Sequence, residues 1–89
     1  MSEILLELFT TPTIPQCSTA RKAAADALKL MNETLLIERD VSKKENYQRA
    51  IELGIREVPT LVVNGKHQIK GTPKTSEELV RFINHGVKK

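Results

Sequence analysis

The segment Leu61-Val62-Val63-Asn64-Gly65-Lys66-His67-Gln68-Ile69-Lys70 decides how the rest of the chain is read. Two β-capable runs flank Asn-Gly, whose residues both tolerate the positive φ of a type I′ turn, so the segment predicts an antiparallel hairpin. Before it, Ser42-Lys43-Lys44-Glu45 has capping-box spacing and opens a helix carrying Tyr47, Ala50, Ile51 and Leu53, which stops at Gly54 as a C-cap. Leu35-Leu36-Ile37, continuing through Glu38 and Arg39 to Val41, predicts a central strand. From Pro15 to about Met31 the pattern is helical, with Ala20, Ala24, Ala27, Leu28 and Met31 on one face and Arg21, Lys22, Asp26 and Lys29 outward. Ile4-Leu5-Leu6-Glu7-Leu8-Phe9 predicts a mostly buried strand, ended at Thr11-Pro12. Beyond the hairpin, Gly71 and Pro73 make a turn. A second capping box, Thr75-Ser76-Glu77-Glu78, then opens a helix with Leu79, Phe82 and Ile83 inward and Gly86 at its end.

The order is β-α-β-α-β-β-α. A strand, a crossover helix and a second strand of these lengths imply a right-handed unit with parallel strands, and the hairpin adds an antiparallel half. The fold class expected is α/β, a four-stranded mixed sheet flanked by three helices.

Eighty-nine residues make one domain, 1–89. Hydrophobic residues are 39% and charged residues 28%, an ordinary globular balance, and Phe9, Tyr47 and Phe82 are the only aromatics, so the core is built from Leu, Ile, Val and Ala. Met1-Ser2-Glu3-Ile4 has no basic leader, and no run approaches the roughly 18 apolar residues of a membrane span. One cysteine permits no internal disulfide, which favours a reducing compartment, and a cytoplasmic location is expected. The net charge of +3 comes from scattered pairs such as Arg21-Lys22, Lys43-Lys44 and Lys88-Lys89. No dense basic stripe with interleaved aromatics is present, so neither nucleic acid nor membrane is an expected partner. His67 and His85 show no ligand spacing with Cys17 or the acids, and no metal or cofactor is expected. Ser18 and Thr19 have no base paired with them and read as first-turn helix residues.

The element order is that of the thioredoxin fold, and the residues match as well. Thr11-Pro12-Thr13-Ile14-Pro15-Gln16-Cys17 resembles the Cys-Pro-X-Cys turn of glutaredoxins and of the small archaeal-type glutaredoxin-like thioredoxins, with Ile14 at the place of the first cysteine. Gly54-Ile55-Arg56-Glu57-Val58-Pro59-Thr60-Leu61 is similar to the segment that carries that family's cis-proline, and Asn64-Gly65, Gly71 and Pro73 fall at its hairpin and last turn. The resemblance spans about Leu5 to Ile83.

It implies a thioredoxin-like fold with Val58–Pro59 cis, and a site in which Cys17 is the catalytic thiol. Ile14, Pro15, Val58, Pro59 and Thr60 would line the substrate groove. In the parent chemistry a thiolate at the first position attacks a disulfide and the second cysteine resolves it. Ile14 cannot ionise or attack, so internal dithiol cycling is not possible here. The family's buried acid would fall at about Leu8, the Trp before its first cysteine at Thr13, and its glutathione-binding acids near Thr72-Pro73-Lys74-Thr75, which leaves glutathione use open. Ile14 is either a relic position or part of a contact surface, a poor N-cap that Thr13 would replace. Cys17 is either a buried, inert small group or a usable thiol whose first-turn amide is unpaired.

Three functions follow from the resemblance. One is a protein of thiol–disulfide redox metabolism that forms mixed disulfides through Cys17 with a protein or small-molecule thiol. Another is a redox-inactive module holding an extended peptide in the cis-proline groove. The third is a regulatory protein like the thioredoxin-fold circadian-clock proteins. A monomer is expected.

Overall fold

The computed structural model describes residues 3–71 and 75–87; Met1-Ser2, the segment Thr72-Pro73-Lys74 and the pair Lys88-Lys89 lie outside the described residues. Seven elements follow in the expected order: β1 (Ile4–Thr10), α1 (Gln16–Lys29), β2 (Thr34–Asp40), α2 (Lys44–Glu52), β3 (Thr60–Val63), β4 (His67–Lys70) and α3 (Ser76–Val87). The sheet runs β2-β1-β3-β4. β1 pairs parallel with β2, Ile4 opposite Thr34 through Thr10 opposite Asp40, and antiparallel with β3, Leu6 opposite Val63 through Phe9 opposite Thr60.

β2 is therefore an edge strand and not the central strand its apolar run predicted. β1 and β3 are the inner pair: residues 6–10 and all of β3 are buried, while β2 has no fully buried residue. A local run of Leu and Ile reports that a strand forms, but not how many neighbours it has.

Alternation along β1 feeds two cores. Leu6 and Leu8 pack with Ala20, Ala24 and Ala27 of α1 and with Leu79 and Ile83 of α3, while Phe9 packs with Ala50 and Val62 under α2. The alanine stripe of α1 is buried as predicted. Tyr47 and Ile51, two of the apolar residues that mark α2, stand 55% and 58% exposed, and Phe82, expected inward on α3, stands 41% exposed. On α2 the inward stripe is instead Asn46, Arg49, Ala50 and Leu53, because Arg49 reaches a buried carboxylate on β1.

The helix ends divide the same way. Thr75 caps α3, its Oγ1 accepting the Glu78 N–H at 3.0 Å. Ser42 does not cap α2. Its N–H and its hydroxyl both donate to Asp40 Oδ1 at 2.9 and 2.8 Å, and Lys43 occupies the cap position without a side-chain bond. Gly54 ends α2 as predicted, at φ +73°, with Ile55 N–H donating to Ala50 O and Gly54 N–H to Ile51 O. Gly86 does not end α3, which runs to Val87. A Cβ at Gly86 would overlap the His67 ring, so glycine there serves the approach of α3 to β4.

In the hairpin Asn64 and Gly65 have φ +53° and +71°, and Lys66 N–H donates to Val63 O at 3.1 Å, as a type I′ turn requires. The ladder resumes at Val63 opposite His67, which leaves Lys66 as one extra residue. Asn64 also joins the hairpin to β1, exchanging bonds of 2.8 Å with the Leu5 backbone through its N–H and its Oδ1.

Candidate functional site

Between β1 and α1 the chain turns on short backbone bonds. Ile14 N–H donates to Thr11 O at 3.4 Å, Cys17 N–H to Ile14 O at 3.1 Å and Ser18 N–H to Pro15 O at 3.1 Å. Pro15 already has helical dihedrals, φ −59° and ψ −33°, one residue ahead of Gln16. The Cys17 amide is thus paired, not free as expected, because a tight three-residue turn closes before the α-helical ladder begins.

The thiol itself is 1% exposed, and its Sγ accepts the Thr11 N–H at 3.4 Å. Ile14 is half-buried and Pro15 exposed. The start of α1 has no side-chain cap and no acidic residue in its first turn; Thr13, expected to stand in, has its Oγ1 3.4 Å from Thr11 Oγ1.

Val58–Pro59 is cis, as the resemblance implied. Antiparallel register at Phe9 and Thr60 carries residues 11–15 and Val58–Pro59 out of the same end of the two inner strands. The structure therefore brings the turn at Ile14, Pro15 and Cys17 to the same end of the sheet as Val58, Pro59 and Thr60. Within that set Pro59 and Thr60 are buried and Val58 half-buried. The Thr60 hydroxyl donates to Glu57 O at 2.7 Å, so it braces the segment. Pro59 O accepts the Gly71 N–H at 2.9 Å.

Beside Val58 lies a cavity of about 170 Å³ lined by Val41, Tyr47, Ala50, Ile55, Arg56 and Glu57. Sequence reading missed it, along with the Thr11 amide. Tyr47, the one aromatic of α2, is the residue in the sequence that could have drawn attention to it.

Two acids lie on opposite faces of the sheet, and one of them, Glu38, is near the site. Glu38 accepts Arg21 Nε at 2.9 Å and Arg21 Nη2 at 2.7 Å, together with the Thr10 hydroxyl at 3.0 Å, one helical turn along α1 from Cys17. The Arg21 guanidinium holds the Glu38 carboxyl below the usual range, against a smaller opposing effect of burial.

Leu8, where the family's buried acid would fall, is packed among apolar side chains. The buried acid of this chain is its neighbour Glu7, 1% exposed, bonded by Arg39 Nε at 2.7 Å and by Arg49 Nη2 at 3.1 Å. Strand alternation turns Glu7 to the α2 face, away from Cys17. His67 and His85 come within 6.4 Å ring to ring at the hairpin end of the sheet. No group of three or more metal-binding side chains occurs among the described residues, and no helix among them is long and apolar enough to cross a membrane.

The fold resembles solved thioredoxins closely. Chloroplastic thioredoxin z superimposes with a TM-score of 0.77 at 16% identity, over 98% of this chain and 80% of that one. Mitochondrial thioredoxin 3 from Saccharomyces cerevisiae gives 0.77 at 18% identity, over 93% and 78%. These matches, with the element order and cis-proline above, define the thioredoxin-like fold class.

The family follows from sequence. The thioredoxin domain profile matches residues 7–84. The thioredoxin of Methanocaldococcus jannaschii is 39% identical over 83 residues, covering 93% of this chain and 95% of that protein. A probable thioredoxin of Archaeoglobus fulgidus is 36% identical over 85 residues, covering 93% and 92%. The chain belongs to the thioredoxin family and is of archaeal type.

Proposed function

We propose that this protein acts in thiol–disulfide metabolism with one thiol, Cys17, where its family uses two. The observation that carries the reading is the Thr11 N–H aimed at Cys17 Sγ, a fixed donor for a sulfur on which negative charge develops during exchange. Cys17 gives its proton to solvent and attacks one sulfur of a partner disulfide. The Cys17–S–S bond forms, the partner S–S bond breaks, and the other sulfur leaves as a thiolate with the electron pair. A thiolate from solution then attacks the mixed disulfide and frees Cys17, leaving the first partner sulfur joined to the second reagent. At 1% exposure the thiol meets only a disulfide presented through the groove between Ile14–Pro15 and Val58–Pro59. That restricts it to partners that dock, in a reducing compartment such as the cytoplasm.

A second reading, a redox-silent module that holds an extended peptide in the same groove, is favoured by that burial and by the apolar Ile14 beside it. Alkylation of the native protein across pH separates the two. Modification of Cys17 that rises with pH at rates well above global unfolding supports exchange, while a thiol silent until the chain unfolds overturns it. Peptide titration of the Cys17→Ala protein, followed at the Ile14 and Val58 amides, tests the groove in either case.

A further inference from the structure

The hairpin end of the sheet carries side chains that the thiol reading does not use. His67 opens β4, His85 lies in the last turn of α3, and their rings stand 6.4 Å apart between centroids, inclined at 64°. The approach depends on glycine at position 86. The His67 ring fills the place a Cβ there would take, so the end of α3 settles directly on β4. Among the described residues neither ring has a hydrogen-bond partner, and His85 is exposed. Each neutral imidazole therefore keeps a free in-plane lone pair.

We propose that His67 and His85 together bind a divalent transition ion of the Zn2+, Ni2+ or Cu2+ class, which clamps the last turn of α3 to the start of β4. Imidazole nitrogen suits those ions, whereas Mg2+ and Ca2+ take oxygen ligands. With metal–nitrogen bonds of about 2.0–2.1 Å, two imidazoles on one tetrahedral ion set their centroids about 5 Å apart. The rings have to close by only about an ångström, which rotation of the exposed His85 side chain supplies. Parallel rings in separate planes could not share an ion through in-plane lone pairs; inclined rings can. The place on the helix adds to this, because the final carbonyls of a helix carry partial negative charge that favours a cation. His67 also borders a cavity of about 490 Å³, shared with Asn64 and Val87, which leaves room for the waters that complete the coordination. Lys66 borders it too, but is exposed and free to swing into solvent. With two protein ligands and water in the other positions, the ion is exchangeable. The site departs from the sequence expectation of no metal, because the two histidines belong to separate elements that only the fold brings together. Asn64 bonds the start of β1 and Cys17 follows its end, so the histidines and the thiol lie at opposite ends of the sheet and this proposal stands independently of the thiol reading.

The test is titration of the full chain with Zn2+ at about pH 7.5, above the imidazole pKa of about 6.5, followed by the ring resonances of both histidines and by thermal unfolding. One equivalent should move the His67 and His85 signals along a single saturating curve and raise the unfolding temperature, and Mg2+ should do neither. His85→Ala, at an exposed position, should weaken Zn2+ binding at least about tenfold and leave the unfolding of the metal-free protein unchanged. His67→Ala should weaken binding to a similar degree, and Cys17→Ala should leave it as it is. Zn2+ that fails to saturate, or that moves only one of the two rings, overturns the proposal. So does binding that survives His85→Ala. Binding lost in Cys17→Ala would assign the ion to the thiol and overturn it too.

Discussion

Residue 14 makes its contribution to the turn through the backbone: its N–H bonds Thr11 O and its carbonyl accepts the Cys17 N–H. The side chain is therefore free to be exchanged without loss of the turn. Ile14→Cys should fold like the parent and create a Cys-Pro-Gln-Cys site from Pro15, Gln16 and Cys17 as they stand. The new thiol would lie at the start of α1, where the helix field favours a thiolate, and should titrate below the roughly 8.5 of a free cysteine. The variant should then oxidise internally and gain dithiol-driven reduction of a protein disulfide over the parent. A parent as active as the variant would show that Cys17 alone suffices and that Ile14 blocks nothing. A folded variant that neither oxidises nor gains activity would break the match of residue 14 with the family nucleophile.

Each helix carries its own test. Thr75 and Ser42 both begin capping-box patterns, yet only Thr75 caps. Thr75→Ala should cost about 1 kcal/mol, while Ser42→Ala, which loses only an exposed bond to Asp40, should cost a few tenths. Equal losses in denaturant unfolding would contradict the cap assignment. Gly86 and Gly54 pose a second contrast. Gly54→Ala must hold φ +73° and should lose roughly 1 kcal/mol through backbone strain alone. Gly86→Ala replaces a glycine in the last turn of α3, a gain below the roughly 1 kcal/mol of a helix interior, but drives a methyl into the His67 ring. It should be destabilising on balance, and His67→Ala in that background should recover part of the loss. A stabilising Gly86→Ala would mean that α3 shifts freely against β4.

Glu7 ties β1, β2 and α2 together across the molecule. Burial by itself would raise its carboxyl, but the hydrogen bonds and charges of Arg49 and Arg39 outweigh this and hold it below the usual carboxylate range. A carboxyl depressed in the folded state contributes stability above its unfolded value, about 4.3, and that stability is lost as pH falls through the lower folded value. The protein should therefore lose stability below about pH 4, and Glu7→Gln should flatten that fall while costing about 1–3 kcal/mol at neutral pH. The two arginines are partly exposed and tolerate loss of the carboxylate. The converse change, Arg39→Met with Arg49→Met, strands a buried charge and should cost more. Chemical denaturation of both variants between pH 3 and pH 7 checks the order, and an equal cost would show that Glu7 is not desolvated.

The elements and their order, the hairpin, the Gly54 stop, the alanine stripe of α1 and the cis-proline segment were legible because each rests on near-neighbour chemistry: turn φ preferences, helical spacing or a contiguous motif. The match of Thr11 to Cys17 and of Val58 to Thr60 likewise needed only the residues in line. What the line of residues could not contain was decided by pairing at a distance. β2 became an edge because β1 found β3, far along the chain from β2's own apolar run, for its other side. Asp40 took the Ser42 hydroxyl from the cap, and Glu7 drew Arg49 inward and turned Tyr47 and Ile51 out. His67 claimed the space at Gly86, and the Thr11 amide reached Cys17 Sγ only once the turn had closed. Each of these is a competition between a local preference worth about 1 kcal/mol and a tertiary contact of equal or greater worth, and only the folded chain sets both on the same scale.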